Sequence, residues 1–129
     1  MTLLEVDQLT LAYGRHLVVD LLDFALEKGS IGCLLGPSGC GKTTVLRAIA
    51  GFERVHGGSI RIGAEQVSGT GVHIPPERRR IGILFQTPLL FPHLCIADNI
   101  SFGLARTHRG ATRRAMIEDA LEAAGLAGF

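Results

Sequence analysis

The sequence predicts an α/β fold built around a phosphate-binding loop, and three observations carry that expectation. The run GPSGCGKT, residues 36–43, follows a short unbroken apolar segment, Ile31 to Leu35. Directly after it comes KTTVLRAIAG, a stretch of good helix formers with apolar residues at Val45, Leu46, Ile49 and Ala50 and a glycine at 51. Strand, glycine-rich loop and helix in this order is the arrangement a phosphate loop requires.

Composition narrows the function classes. A chain of 129 residues is one domain at most, and 47% hydrophobic against 19% charged residues describes a packed body rather than a disordered tail. A net charge of +1 supplies no field that would recruit nucleic acid or anionic lipid, so no nucleic-acid partner is expected. Cys33, Cys40 and Cys95 are odd in number and lack C-x-x-C spacing, which argues against a disulfide framework or a zinc site. His16, His56, His73 and His108 show no metal-ligand spacing either. The N-terminus has no basic region of a secretory signal, and apolar runs such as IGCLLG fall far short of the roughly 18 residues that span a bilayer.

Each element follows in order. LLEVDQLTLAYG alternates in part and ends in glycine, a half-buried strand; HLVVDLLDFALEKGS adds a second before a turn at Glu27, Lys28 and Gly29. Together they predict an antiparallel β-layer. Ile31 to Leu35 reads as a strand buried on both faces. The helix after the loop closes at Gly51, in the C′ position. HGGSIRIG is a turn and strand. IPPERRR is a proline-stiffened connection whose Arg78, Arg79 and Arg80 read as a solvated charge run, and it feeds a further strand, IGILF, ending at Gln86. Two prolines deny a helix between Thr87 and Leu94, after which IADNISFGL forms one. In TRRAMIEDALEAAG, Thr112 is the expected N-cap, Ile117, Ala120, Leu121 and Ala124 form the apolar stripe, and Gly125 closes the helix.

GPSGCGKT fits G-x-x-x-x-G-K-[ST], and each fixed position has a physical reason. Gly36, Gly39 and Gly41 lack the Cβ that would block close approach and positive φ, so successive N–H groups can turn toward phosphate oxygens. Lys42 supplies a point charge for the β- and γ-phosphates, and the Thr43 hydroxyl suits Mg²⁺. The helix that follows aims its positive end at the anion. Cys40 stands at a variable position and reads as a small filler.

A phosphate loop alone is shared by GTPases, kinases and transport ATPases. The order LAYG, GPSGCGKTTVLRAIAGFE, GGSIRIG, PPERRRIGILFQTPLLFPHLCIADNISFGL closely resembles the ATP-binding subunits of ABC transporters, most of all importers of ferric iron, polyamines, sulfate or sugars. That resemblance spans essentially the whole chain. It implies an ABC ATPase domain in which residues 1–86 hold the β-layer and phosphate-loop core and 87–129 the glutamine loop and the start of the helical subdomain. It also implies that ATP and Mg²⁺ are held by Tyr13, which stacks on adenine, by Gly36, Pro37, Ser38, Gly39, Cys40, Gly41, Lys42, Thr43 and Thr44, and by Gln86. Thr43 and Gln86 would meet the metal. Leu89, Leu90, Phe91 and Leu94 either meet a membrane partner or pack into the domain itself. Cys95 replaces a usual threonine, which removes a capping hydroxyl. His93 is read as a lone histidine beside a proline.

The same resemblance implies partners and a place: permease subunits, a second ATP-binding subunit, and a peripheral position on the cytoplasmic side of the inner or plasma membrane, attached through the permease only. Hydrolysis in this family needs an aspartate-glutamate strand, a histidine and an LSGGQ-type signature, which normally follow the position of Phe129. HLVVD, ending at Asp20, imitates the acidic strand but continues with Leu21 and precedes the loop. No catalytic residue is therefore expected in these 129 residues beyond a water or Mg²⁺ contact from Gln86, so the chain should bind ATP better than it hydrolyses it. Ferric iron is the first expectation for the solute. The alternative is a stand-alone or regulatory nucleotide-binding module without turnover.

Overall fold

A computed structural model of the chain describes residues 1–104 and 108–129 and divides it into two units, Met1–Ile83 and Leu84–Phe129. The first unit begins with β1 (Thr2–Tyr13) and β2 (His16–Glu27), an antiparallel pair as the sequence predicts. After α1 (Lys42–Ala50) come β3 (Gly57–Ile62), β4 (Glu65–Gly69), β5 (Val72–His73) and a 3-10 turn at Pro76–Arg78. The five strands form one antiparallel sheet in the order β2-β1-β3-β4-β5.

The imperfect alternation of the first two strands has a structural cause. In β1 the buried residues are Val6, Leu9 and Leu11, so the inward parity switches from even to odd between positions 6 and 9. Gln8 sits there at φ +49°, where the register with both neighbouring strands shifts. An extra residue in a strand reverses which side chains face inward. β2 makes the matching change between Val19 and Leu22, with Leu21 at φ +50°. Asp23 holds the β1 irregularity in place, accepting the Gln8 backbone N–H at 2.6 Å and its side-chain amide at 2.8 Å.

α1 lies on this sheet. Val45, Ala48 and Ile49 join Val6, Leu9, Leu11, Ile60 and Val67 in one buried cluster. Each buried aliphatic side chain contributes about 1.5–3 kcal/mol relative to exposure. The helix ends in a Schellman turn: Gly51, at φ +97°, donates to the Ala48 carbonyl and Phe52 donates to that of Arg47, so the glycine closes it as expected.

Two expected strands are absent. Residues 31–35 and 81–85 join no ladder; Ile31 is 98% exposed, Leu35 87% and Leu84 98%. A strand exists through hydrogen bonds to a neighbour, and none of the five strands pairs with either segment. Apolar run and flanking turns were therefore insufficient to make these segments strands. β4 and β5, by contrast, are elements the sequence reading did not separate from the connection that follows them.

The second unit contains α2 (Ile96–Ser101) and α3 (Gly110–Ala123). Residues 87–94 are not helical, in keeping with their prolines. α2 starts without a side-chain cap bond; the Cys95 thiol instead donates to Asp98 Oδ2 at 3.1 Å. Arg113 on α3 donates to Asp98 Oδ1 at 3.1 Å and to the Ser101 hydroxyl, joining the two helices. Those bonds, the Cys95 thiol first and Arg113 next, hold the Asp98 carboxyl below its ordinary range. Thr112 is not the N-cap. Gly110, at φ +59°, turns the extended chain at Arg109 into the helix three residues earlier, so Thr112 lies inside the first turn. Ile117 and Leu121 are the buried part of the predicted stripe, and Ala120 is exposed. Gly125, at φ +71°, closes α3 with a second Schellman turn, Leu126 N–H to Leu121 O and Gly125 N–H to Glu122 O.

Candidate functional site

The loop of residues 36–41 runs along the surface into the start of α1. Gly39 and Gly41 take φ of +81° and +98°, a region that costs a side-chain-bearing residue strain. At Gly41 a Cβ would also stand 2.9 Å from Val19 Cγ2 and 3.0 Å from Val18 Cγ1, so glycine lets the loop rest on β2. Gly36 has another reason: a Cβ there would stand 2.7 Å from the Cys40 sulfur. The exposed Cys40 thus lays its sulfur against Gly36, and its backbone N–H donates to the Pro37 carbonyl at 3.3 Å.

Lys42 folds back over this turn. Its ammonium donates to the carbonyl oxygens of Gly36 and Pro37, both at 2.7 Å, with the Cys40 sulfur 3.6 Å away. The α1 N-terminus carries no side-chain cap bond and no acidic residue in its first turn. Its first N–H groups therefore have neither a capping acceptor nor a competing carboxylate, and they carry the positive end of the helix dipole. An uncapped helix start, two left-handed glycines and a lysine within reach fit a phosphate group. Thr43 is exposed and Thr44 half-buried beside Lys42.

Tyr13, at the end of β1, leaves half its surface exposed and donates its hydroxyl to Glu53 Oε1 at 3.2 Å. The same oxygen accepts from Arg47 Nε of α1 at 3.0 Å, and the Arg47 guanidinium lies 5.9 Å from the centre of the Phe52 ring. Tyr13 is thereby tied through Glu53 to the helix that carries the loop. His56 adds a second tie, accepting the Ala12 backbone N–H on Nδ1 at 3.2 Å. Neither Glu53 nor His56 was singled out from sequence, because both bonds span about forty residues.

Arg79 corrects the reading of the basic run. Arg78 and Arg80 are exposed, but Arg79 is only 4% exposed. Its Nε donates to Ile74 O at 2.6 Å, Nη1 to Ala48 O at 2.8 Å and Ile49 O at 3.0 Å, and Nη2 to Val67 O at 3.0 Å and Ser68 Oγ at 2.8 Å. Five bonds match the five N–H groups a guanidinium owns, which is what makes burial of its charge tolerable. Burial still lowers its pKa from the usual arginine value. The clue lay at the other end of the bond: the last carbonyls of α1 need donors, and a cation there is favoured by the dipole.

His73 lies nearby, with Nδ1 buried and unpartnered. Burial first, then the charges of Arg54 and Arg79, hold its pKa below 6.5. Among the described residues no group of histidine, cysteine and acidic side chains is placed to hold a metal ion.

Gln86 belongs to the second unit and is exposed at a bend. Leu89 and Leu90 are 69% and 74% exposed and Leu94 is half-buried. The Phe91 ring stands 4.3 Å from that of Phe102 and 5.9 Å, edge-on, from His93. Asn99 braces this turn by accepting the Phe91 N–H at 2.8 Å and donating to Leu94 O at 3.0 Å.

The ABC transporter family model matches residues 19–129. The chain belongs to this family, as the N-terminal portion of its ATP-binding domain. Among curated proteins this ABC domain is 43% identical over 127 residues to the Fe(3+) ions import ATP-binding protein FbpC 1 of Haemophilus influenzae, covering 98% of this chain and 38% of that protein. It is 41% identical over 130 residues to the spermidine/putrescine import ATP-binding protein PotA of Nitrosomonas europaea, covering 100% and 35%. It is 41% identical over 121 residues to the sulfate/thiosulfate import ATP-binding protein CysA of Mycobacterium tuberculosis, covering 93% and 33%. The chain thus spans less than two-fifths of the length of these relatives. A solved ATP-binding cassette of an ABC transporter in its ADP conformation aligns with a TM-score of 0.52 at 23% identity, covering 54% of this chain and 27% of that one, a likeness of fold. No helix among the described residues is long and apolar enough to cross a membrane.

Proposed function

We propose that this ABC domain binds Mg-ATP at the loop of residues 36–44 and serves as the nucleotide-binding part of an importer's ATP-binding subunit. The observation that carries the reading is the uncapped start of α1, framed by Gly39 and Gly41 in left-handed geometry, with the Lys42 ammonium held over the turn. Backbone N–H groups of the loop and of the first turn of α1, including that of Ser38, would receive the phosphates, while Pro37 stiffens the turn and accepts the Cys40 N–H. Bound Mg²⁺ neutralises phosphate charge; Thr43 and Gln86 are the residues offered to it. Tyr13, oriented by Glu53, offers its ring face to the adenine.

The solute is proposed as ferric iron, in line with the name of the Haemophilus relative, while polyamine and sulfate importers match almost as well. Permease subunits and a second ATP-binding subunit are the proposed partners. The exposed Leu89 and Leu90 belong to the segment proposed to face the permease, which would hold the domain at the cytoplasmic face of the membrane. Binding without turnover is the behaviour proposed for these residues, since the acid-ending strand HLVVD continues with Leu21 rather than glutamate and precedes the loop.

Equilibrium binding of Mg-ATP to the chain and to Lys42→Ala, with phosphate release followed in the same samples, tests this. Lys42→Ala is expected to weaken binding by about tenfold to a hundredfold, the value of a lost charge-assisted contact. Equal binding by both proteins, or sustained phosphate release by the chain, would overturn the reading.

A further inference from the structure

We infer that Arg79 is a positioning residue for phosphate binding: by fastening the C-terminal end of α1 to the β4–β5 corner, it sets where the N-terminal end of that helix presents the loop. This inference rests on the phosphate-loop reading above and adds to it a residue far along the chain from the loop.

The argument begins with the length of α1. Nine residues make two and a half turns, so the whole helix behaves as a rigid rod about 13 Å long, and a tilt at one end moves the other. The loop end carries Lys42 and no side-chain cap. The segment entering the loop, 31–35, is in no ladder and touches the core only through the half-buried Leu34, so it adds no hydrogen-bonded sheet anchor on that side. α1 is attached by the apolar contact of Val45, Ala48 and Ile49 with the sheet, by the exposed link from Arg47 through Glu53 to Tyr13, and by the buried Arg79. Apolar packing resists separation but is undirected. The guanidinium supplies direction, because its planar fork must meet Ala48 O and Ile49 O on one side and Val67 O and Ser68 Oγ on the other.

Gly51 shows how closely the two are fitted. A Cβ at that position would lie 2.6 Å from Arg79 Nε and 3.0 Å from the Pro76 nitrogen, so helix end and arginine share one slot. Every guanidinium N–H is used within the first unit, and no carboxylate takes part. The geometry is that of a clamp between backbone elements.

The test uses inorganic pyrophosphate, which reports the phosphate cradle without adenine contacts. Pyrophosphate affinity and thermal midpoint are measured for the parent chain, Arg79→Met, Arg79→Lys and Ile62→Ala, the last being a β3 variant that lowers stability at a residue outside the arginine's bonds. Arg79→Met is expected to weaken pyrophosphate binding about tenfold per folded molecule, with Arg79→Lys intermediate and Ile62→Ala unchanged. If Arg79→Met does not fold, Arg79→Lys against Ile62→Ala carries the comparison. Unchanged affinity in the arginine variants, or an equal loss in Ile62→Ala, would overturn the inference. A parent chain that binds no pyrophosphate overturns the phosphate-loop reading itself, and this inference with it.

Discussion

At the scale of single residues, three arginines in a row look alike in the sequence and are not alike in the fold. Composition gives no means to tell Arg79 from Arg78 and Arg80, since what selects it is a pair of helix carbonyls thirty residues earlier. The loop is the opposite case. The chemistry of Gly39 and Gly41 is local, and their left-handed turns were legible from residue type and spacing, whereas the Lys42 ammonium, expected to face phosphate, lies on the Gly36 and Pro37 carbonyls. His73 gives a residue-scale prediction. Its folded pKa lies below 6.5 because burial and the charges of Arg54 and Arg79 disfavour the imidazolium. A depressed histidine pKa means that the unfolded state takes up the proton first as pH falls. Stability from this group is therefore complete above pH 6.5 and declines as the pH drops below it. The thermal midpoint should fall between pH 7.5 and about 5.5, and His73→Gln should flatten that slope; an unchanged slope in the variant would exclude His73 as its origin.

Elements show where pattern suffices and where it fails. α1, α2, α3 and the β1–β2 pair follow from periodicity and glycine stops, which depend on neighbours within a few residues. Residues 31–35 satisfy the same local criteria and yet are not a strand, because pairing is a property of two segments and no partner is present beside them. The bulges at Gln8 and Leu21 were visible only as imperfect alternation. Their consequence for packing is testable. Leu9 and Ile60 are fully buried beneath α1, so Leu9→Ala or Ile60→Ala should cost about 2–5 kcal/mol in denaturant unfolding, whereas Leu46→Ala, on the exposed side of the helix, should cost under about 1 kcal/mol. Comparable losses at all three sites would mean that the helix packs on the sheet by another face.

For the molecule as a whole, the question is how much apolar surface stays in water. Ile31, Leu35 and Leu84 are almost wholly solvated, and Leu89 and Leu90 largely so. Unpaired apolar segments of this kind promote association. Light scattering across a dilution series should show concentration-dependent association of the chain, and Ile31→Lys should reduce it; a monomer at all concentrations would contradict this. The same exposed segment leads straight into the loop, and that adjacency has a thermodynamic meaning. One flank of the loop is secured by α1 and Arg79, while the other leaves its backbone unpaired and is free to accept a strand. Any polypeptide strand that zips onto residues 31–35 would order that flank and raise nucleotide affinity. By reciprocity, bound nucleotide would tighten the grip of that strand by the same factor. Pairing beside the loop and nucleotide in it would then report on one another.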